Sequence, residues 1–305
     1  MSLGFGSEER GSVKTYLECI PCFFRQALEV GRLTGVSDGV RKKILDDVAL
    51  SIPGFSLESS PPEMARIIHG ILRKHTGVDD PYKEIKEKSN SLALGFYRKL
   101  KEKVDKSPDR LLKSIEVAIA GNVIDYGVKN TLDVEEEINK ILRNENEVIK
   151  REKPDLFEYE KFKDELDKSA SIVYLGDNAG ETVFDRILIE EIKRVDKNKK
   201  IYYAVKEKPT INDALLEDAI VSGIDHSAEI ISSGSDAPGT ILAICSKEFL
   251  SIYKQADMVI SKGQGNFEAL SDPGRSVVYL FMAKCPVIAK EVGCDMGDII
   301  LRYNT

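Results

Sequence analysis

The first half of the chain repeats apolar residues at intervals of three and four positions, as Phe23, Ala27 and Val30 illustrate. This spacing places the apolar side chains on one face of an α-helix. Short segments rich in proline, serine, glycine or aspartate interrupt the pattern, at 51–62, 77–81 and 107–109. Because such segments end helices, the pattern predicts a bundle or cap of several helices over residues 13–150.

The second half has a different pattern, in which short β-branched runs alternate with segments of helix length. Five runs predict strands, at Ile172–Leu175, Ile201–Val205, Glu229–Ser232, Met258–Ile260 and Val277–Phe281. Strands that alternate with helices form βαβ units, so we predict an α/β fold with a mostly parallel sheet.

The change between the two patterns falls in a densely charged segment, residues 133–168, that is typical of a solvated helix leading into a linker. We place the boundary near Lys153 and Pro154. The predicted domains are a helical cap over residues 1–155 and an α/β core over residues 156–305.

The charge balance restricts the class of partner. The 305 residues include 44 Lys or Arg and 51 Asp or Glu, a net charge of −7. A nucleic-acid surface needs clustered Lys and Arg, so we expect no nucleic-acid partner, although a local basic pocket for one phosphate is allowed. No apolar run approaches the roughly 20 residues that span a bilayer, and residues 1–14 contain no signal-peptide core. We expect a cytoplasmic protein without a membrane partner; the oligomeric state stays open.

The most informative polar turn, Gly176–Glu181, directly follows the predicted strand that ends at Leu175. Ligands of open α/β sheets bind beyond the carboxyl ends of the strands. Asp177 and Asn178 offer adjacent carboxylate and amide oxygens there, which are ligands that hard divalent cations prefer. Helix capping alone would not need both residues. The turn therefore predicts the centre of an active site.

Three further polar segments follow predicted strands. Lys206 and Asp213 come after the second strand, and Asp236 lies in a loop of small residues after the third. The segment 261–268 combines Lys262 with two glycines, Gly263 and Gly265, and with Asn266 and Glu268. A glycine turn allows backbone N–H groups to approach a phosphate, while Lys262 can supply a positive charge. Since parallel strands end at one edge of a sheet, these four segments should converge; capping or ordinary turn roles are the alternatives.

Two other features lie in the helical half. Asn122 and Asp125 interrupt an apolar stretch, which indicates either a cleft or an exposed helix face. Cys19 and Cys22 form a C-x-x-C motif at or just before a helix. Half of a metal site, a redox pair and two buried apolar thiols are all compatible with it. Neither a Gly-x-Ser-x-Gly elbow nor a Walker A loop occurs, so serine nucleophiles and P-loop phosphoryl transfer are disfavoured.

Taken in order, these segments resemble the metal-dependent damage-control phosphatase family, also called domain of unknown function 89, in its microbial branch with an N-terminal C-x-x-C. The matching segments span nearly the whole chain: Cys19–Gln26, Gly121–Asp125, Gly176–Glu181, Pro209–Ala214, Gly234–Thr240 and Lys262–Glu268. The resemblance implies a helical subdomain on a three-layer, Rossmann-like α/β/α core.

The resemblance also implies a chemistry. A divalent metal, Mn, Co, Ni or Mg, would be held by Asp177, Asn178 and Asp213, and the substrate would be a small phosphorylated metabolite. Lys262 would contact its phosphate and act with Asp177 and Asp213 in catalysis. The remaining candidate residues would line the substrate and phosphate site: Gly263, Gly265, Asn266, Glu268, Asn122, Asp125, Glu181, Asp236 and Lys206. One departure is Lys206, where arginine would be commoner; lysine keeps the charge without the bidentate geometry.

The reaction implied is hydrolysis of small phosphomonoesters, including sugar phosphates, phosphopantetheine-type metabolites and damaged metabolites. Attack by an activated water is favoured over a phospho-enzyme, because no Asp-x-Asp motif follows the strand. Two alternatives from other classes stay open. One is an S-adenosylmethionine-dependent methyltransferase, since the turn after the first strand is glycine-containing, and the other is a non-catalytic module that binds a phosphometabolite.

Overall fold

The computed structural model describes residues 13–124, 136, 138–139, 153–270 and 273–304. Five helices form the first part of the described chain: α1 Cys19–Leu33, α2 Asp38–Ser51, α3 Pro61–Thr76, α4 Lys83–Asp105 and α5 Arg110–Ala120. No strand occurs between residues 13 and 124, as the apolar spacing predicts. Asp125 lies outside the described residues.

Local sequence explains where these helices begin and end. At the start of α3, Ser60 and Glu63 form a capping box and Pro61 occupies the first turn, where its missing N–H is not needed. Gly77 ends the helix in the left-handed conformation that glycine adopts without strain. Asp109 begins α5 by accepting a hydrogen bond from the Leu112 amide.

The second part alternates strands and helices. The strands are β1 Ser171–Leu175, β2 Lys200–Val205, β3 Glu229–Ser232, β4 Met258–Lys262, β5 Val278–Met282 and β6 Ile299–Tyr303. The helices are α6 Tyr159–Lys168, α7 Glu181–Val195, α8 Leu216–Val221, α9 Lys247–Gln255, α10 Gln264–Ala269 and α11 Pro286–Val292. The five predicted strands are confirmed, whereas β6 is not among the predicted strands.

One six-stranded sheet contains all of these strands in the order β3-β2-β1-β4-β5-β6. Neighbours from β3 to β5 are parallel, and β6 is antiparallel to β5. From β1 the chain winds outward through β2 and β3, then returns to β4 on the other side of β1. Right-handed crossovers place the helices of these two halves on opposite faces, which gives the three-layer α/β/α core.

The hydrophobic clusters divide the chain differently from the sequence pattern. Residues of α1, α2 and α3, together with Tyr82, form a cluster of their own. Helix α5 instead contributes Ile115 and Ile119 to the same core as the strands, and α4 packs with α7. By packing, α4 and α5 therefore belong with the sheet, although they precede the predicted boundary near Lys153.

Among the described residues, no helix combines the length and the apolar character that crossing a membrane would require.

Candidate active site

The predicted residues of the loops after β1 and β4, including Asp177, Asn178 and Gly263, lie at the carboxyl ends of these two strands. These strands are neighbours, yet their following connections run in opposite directions along the sheet. Such a topological switch point leaves a crevice between the two connections, and it is the place where open α/β sheets bind ligands.

Backbone hydrogen bonds join the loop after β1 to the loop after β2. Asn178 and Asp213 face each other in an antiparallel bridge. The Ala214 amide donates to the Asp177 carbonyl over 2.8 Å, and the Ala179 amide donates to the Asn212 carbonyl over 2.9 Å. These bonds bring Asp177, Asn178 and Asp213 together, although Asp213 is 35 residues or more distant in sequence.

A cavity of about 420 Å³ opens above these three residues. Its floor includes Asp177, Asn178 and Asp213, while α1 and α3 of the helical cluster supply the opposite wall with residues such as Phe23 and Ala65. The cavity therefore lies between the cap and the carboxyl edge of the sheet, and ligand pockets often occupy such junctions.

Glu181, the first residue of α7, organises the floor from below and is fully buried. Its Oε1 accepts from the Asn178 amide over 2.9 Å, and its Oε2 accepts from the Asn122 amide over 2.9 Å. The Asn178 amide also donates to Asp177 Oδ2 over 2.9 Å. Because the Asn178 nitrogen makes both bonds, its Oδ1 oxygen is the atom available to a cation.

Lys262 lies beneath the cavity and does not line it. Its side chain is 0% exposed, and its Nζ donates to Asp185 Oδ1 over 2.7 Å and to Glu181 Oε2 over 3.2 Å. Burial alone would lower the pKa of Lys262, but Asp185 and Glu181 more than offset this and raise that pKa. The predicted contact between Lys262 and a phosphate stays a prediction, since the ammonium group would have to leave one of these carboxylates.

Asp185, which is absent from the predicted site, anchors this buried network. Its two oxygens accept from the hydroxyls of Tyr174 and Tyr203, each over 2.8 Å, in addition to Lys262. Burial and the Asp185 carboxylate raise the pKa of both phenols well above their usual range. A sequence signal exists, because Asp185 follows Glu181 by one helical turn within an otherwise apolar helix face.

A second buried ammonium group, that of Lys206, lies 3.6 Å from Asp213 Oδ2. Asn266 is also fully buried, and it accepts from the Thr240 hydroxyl over 2.8 Å while donating to the carbonyls of Gly176 and Lys262. Asn266 thus ties the loops after β1, β3 and β4 together.

The other predicted residues divide between the cavity and its surroundings. Gly265 and Glu268 line the cavity, and Gly263 packs directly against the Asp177 carboxylate. Asp236 does not line the cavity: its Oδ1 accepts from Arg66 Nε of α3 over 2.5 Å. Although partial burial opposes the shift, Arg66 lowers the pKa of Asp236. Asp236 therefore fastens the cap to the core.

Whether the floor fits a divalent cation can be judged from its charges. The buried charge cluster contains four carboxylates and two ammonium groups, a net charge of −2 when all are ionised: Asp177, Glu181, Asp185, Asp213, Lys206 and Lys262. A divalent cation would balance that charge. The described residues contain no metal-holding group of three or more His, Cys, Asp or Glu. The floor instead offers two carboxylates and the Asn178 amide oxygen, a donor set that suits hard cations and leaves coordination positions open.

Cys19 and Cys22 line the cavity on the cap side, and Cys285 lines it from the loop before α11. All three are free thiols. Desolvation raises the pKa of Cys19 and of Cys22, which disfavours the thiolate form that metal binding and disulfide exchange require. This disfavours the metal and redox interpretations of the C-x-x-C motif. The third interpretation, two buried apolar thiols, is not met either, because Cys19 is half-buried and Cys22 is exposed.

Sequence reasoning also missed Asn90 of α4. Its Oδ1 accepts from the Gly180 amide over 2.7 Å and its Nδ2 donates to Asp218 over 2.7 Å, so it holds the start of α7 from the helical side. No sequence signal distinguishes Asn90 from the other polar residues of this highly charged helix.

Comparisons with known proteins show which family and which fold this chain resembles. Residues 15–300 match the family model of the damage-control phosphatase ARMT1-like domain. A protein named damage-control phosphatase from Pyrococcus horikoshii is 34% identical over 96% of this chain and 99% of its own length. One of the same name from Archaeoglobus fulgidus is 32% identical over 93% of this chain and 97% of its own. A crystal structure of a Pyrococcus horikoshii protein of family 89 superposes with a TM-score of 0.83 at 31% identity, covering 96% of this chain and 99% of that one.

Proposed function

We propose that this chain, which belongs to the damage-control phosphatase ARMT1-like family, hydrolyses small phosphate monoesters in a reaction that requires a divalent metal ion. The observation that carries the proposal is the floor of the cavity, where Asp177, Asn178 and Asp213 converge above a buried charge cluster of net charge −2.

Asp177, Asn178 and Asp213 would hold the ion, and the family resemblance implies Mn, Co, Ni or Mg. When bound, such an ion supplies Lewis-acid stabilisation for the charge on the phosphoryl oxygens. The chain's own residues fix the donor atoms. Glu181 turns the Asn178 amide nitrogen away, and Gly263 allows the Asp177 carboxylate to lie against the start of α10.

The two buried lysines reduce the negative charge that an incoming phosphate meets. Lys206 lies beside Asp213, and Lys262 lies beneath Glu181. In a low-dielectric environment these charges act strongly on the site. Water attacks phosphorus and loses its proton to a carboxylate of the floor, a role that falls to Asp177 or Asp213.

The cap side of the cavity is well suited to the non-phosphate part of the substrate. Phe23, Ala65 and Tyr82 give it an apolar wall, while Gln26 and Glu29 add polar groups. Its volume of about 420 Å³ accommodates a small metabolite. We propose metabolite repair, the removal of phosphate from damaged or surplus small phosphometabolites, as the role.

The test is to strip the protein with a chelator, add Mn, Co, Ni, Mg or Zn singly, and measure phosphate released from a panel of monoesters. We expect release only with metal, and a loss of at least about 100-fold in the Asp177→Asn variant. Asp218→Asn is the matched control, because Asp218 is also buried but its partners are Asn90, the Leu215 amide and, at 3.8 Å, the Lys86 ammonium group.

The control should lose stability while keeping metal-dependent turnover. Circular dichroism spectra of both variants serve as the folding control. Saturable metal binding without release of phosphate from any ester would contradict the proposal and favour a binding module. Equal turnover by Asp177→Asn and wild type would remove Asp177 from the site.

A further inference from the structure

Glu268 occupies a distinct place in the cavity. It lies on α10 and lines the cavity together with Gln264 and Gly265. The Gln264 Nε2 donates to Glu268 Oε1 over 2.8 Å. Side chains of a helix lean toward its N-terminus, and this bond shows that the Glu268 carboxyl group points back along α10 in that direction.

The N-terminus of α10 is also where Asp177 lies. A Cβ atom added to Gly263 would be 2.0 Å from Asp177 Oδ2, so the helix begins in contact with the floor of the cavity. Glu268 lies five residues further along the chain and lines the same cavity as Asp177, close enough to Cys19 and Cys22 of α1 to affect both thiols electrostatically. A phosphate ester bound at the floor would therefore share one cavity with the Glu268 carboxyl group.

Most of the described groups that line the cavity near Glu268 are uncharged side chains or thiols. Cys19 and Cys22 face it from α1, and Cys285 faces it from the loop before α11. The α3 residues that line the cavity carry no titratable group: Pro61, Pro62 and Ala65. Lys284 lines the same cavity but is exposed. Desolvation raises the pKa of Glu268 to about 7, while the Gln264 hydrogen bond opposes the shift.

The other cavity carboxyl groups have different positions. Asp177 and Asp213 lie at the floor, among the ammonium groups of the buried charge cluster. Glu18 is exposed, and Glu29 lies on the cap wall. Glu268 is thus the carboxyl group that combines a place between floor and cap with surroundings that favour its protonated form.

We propose that Glu268 is the general acid that protonates the leaving alcohol. In this step a bond forms between the water oxygen and phosphorus while the bond from phosphorus to the ester oxygen breaks. The ester oxygen takes the proton of the Glu268 carboxyl group and leaves as an alcohol, and the carboxylate regains a proton from solvent. The proposal rests on the phosphatase function proposed above and adds a residue role to it.

The test compares esters that differ in how much their leaving group needs a proton. An alkyl phosphate needs one, whereas p-nitrophenyl phosphate has a good leaving group. In Glu268→Gln we expect kcat/KM for the alkyl ester that wild type hydrolyses best to fall by about 100-fold or more, and for p-nitrophenyl phosphate by less than about 3-fold. Glu29→Gln, the same change on the cap wall, should alter both esters by one common factor.

A second measurement needs no variant. The second pKa of a phosphate ester is near 6, so above pH 7 both substrates are dianions. The wild-type ratio of alkyl to aryl kcat/KM should fall by up to about tenfold per unit as pH rises above 7, because Glu268 loses its proton. A ratio that stays flat from pH 7 to pH 9 would overturn the proposal even if the variant failed to fold.

These outcomes separate the two proposals. Absence of phosphate release by wild type with every metal would refute the phosphatase function itself. Release by wild type, with equal losses for both esters in Glu268→Gln, would refute only the acid role of Glu268.

Discussion

Gly263 gives the sharpest test of the geometry at the cavity floor. It has φ +81°, in the left-handed region, and an added Cβ would lie 2.0 Å from Asp177 Oδ2 and 2.1 Å from its Cγ. A Cβ contact below 3.0 Å does not persist in real structures, so Gly263→Ala must displace the Asp177 carboxylate or the start of α10 by about 1 Å.

The matched control is Gly293→Ala at the end of α11. Gly293 has φ +78°, yet an added Cβ there meets no atom within 4 Å. Both variants therefore share the cost of a non-glycine residue with positive φ, about 1–2 kcal/mol. They differ in the collision with Asp177, which only Gly263→Ala produces.

We expect both variants to lose about 1–2 kcal/mol of unfolding free energy in urea titrations, with a further loss in Gly263→Ala from the displacement. Metal affinity, measured by calorimetry on chelator-stripped protein, should be unchanged in Gly293→Ala. In Gly263→Ala a displacement of about 1 Å should reduce metal-dependent phosphate release by about 100-fold. Equal metal affinity and turnover in the two variants would show that the position of the Asp177 carboxylate does not matter, and would refute the assignment of the site.

Three further outcomes are expected. Burial raises the pKa of Glu268 from 4.5 to about 7, so the stability that the protonated Glu268 contributes is present below pH 4.5 and is lost as the pH rises through 7. In urea unfolding, Glu268→Gln should therefore be more stable than wild type at pH 8, by at most about 3 kcal/mol, but not at pH 4.5. A stability difference that does not change with pH would contradict this. Lys262→Met leaves the buried carboxylates of Glu181 and Asp185 without this cation and should lower the free energy of unfolding in urea by about 3–5 kcal/mol. Lys199→Met should lower it less, because the described bonds of the Lys199 ammonium group go only to carbonyls. Equal losses in the two variants would argue against a charge effect. Asp236→Asn weakens a partly exposed ion pair with Arg66 and should lower the free energy of unfolding by at most about 1 kcal/mol. Its kcat/KM should stay within about threefold of wild type. A fall in kcat/KM of more than tenfold would instead support the predicted substrate contact.

Sequence periodicity predicted the elements well because it reports which face of an element is buried. Strand β1 is buried from Ile172 to Leu175 and β-branched or aromatic at most positions, so its apolar run clearly predicts a strand. Strand β6 lies at the edge of the sheet, follows two short turns and pairs antiparallel with β5, and its apolar run alone does not distinguish it from a helix segment.

The convergence of the polar turns after the strands was also predictable from the sequence, because parallel strands bring their carboxyl ends to one edge of the sheet. This rule predicts that Asp177 and Asp213 lie close together, and in the structure both lie at the floor of one cavity. The metal itself, the native substrate and the cytoplasmic location stay predictions.

Tertiary structure decided which polar residues face the ligand and which support them. Sequence treats Lys262 and Glu268 as members of one polar segment, but the first lies at the end of a buried strand and the second lies on a helix that borders the cavity. It also treats Asp236 as a site residue, whereas Arg66 of a distant helix occupies its carboxylate. Periodicity determines which side of an element is buried; the neighbour that a buried polar side chain meets depends on the packing of elements far apart in the chain, and only the folded structure contains that information.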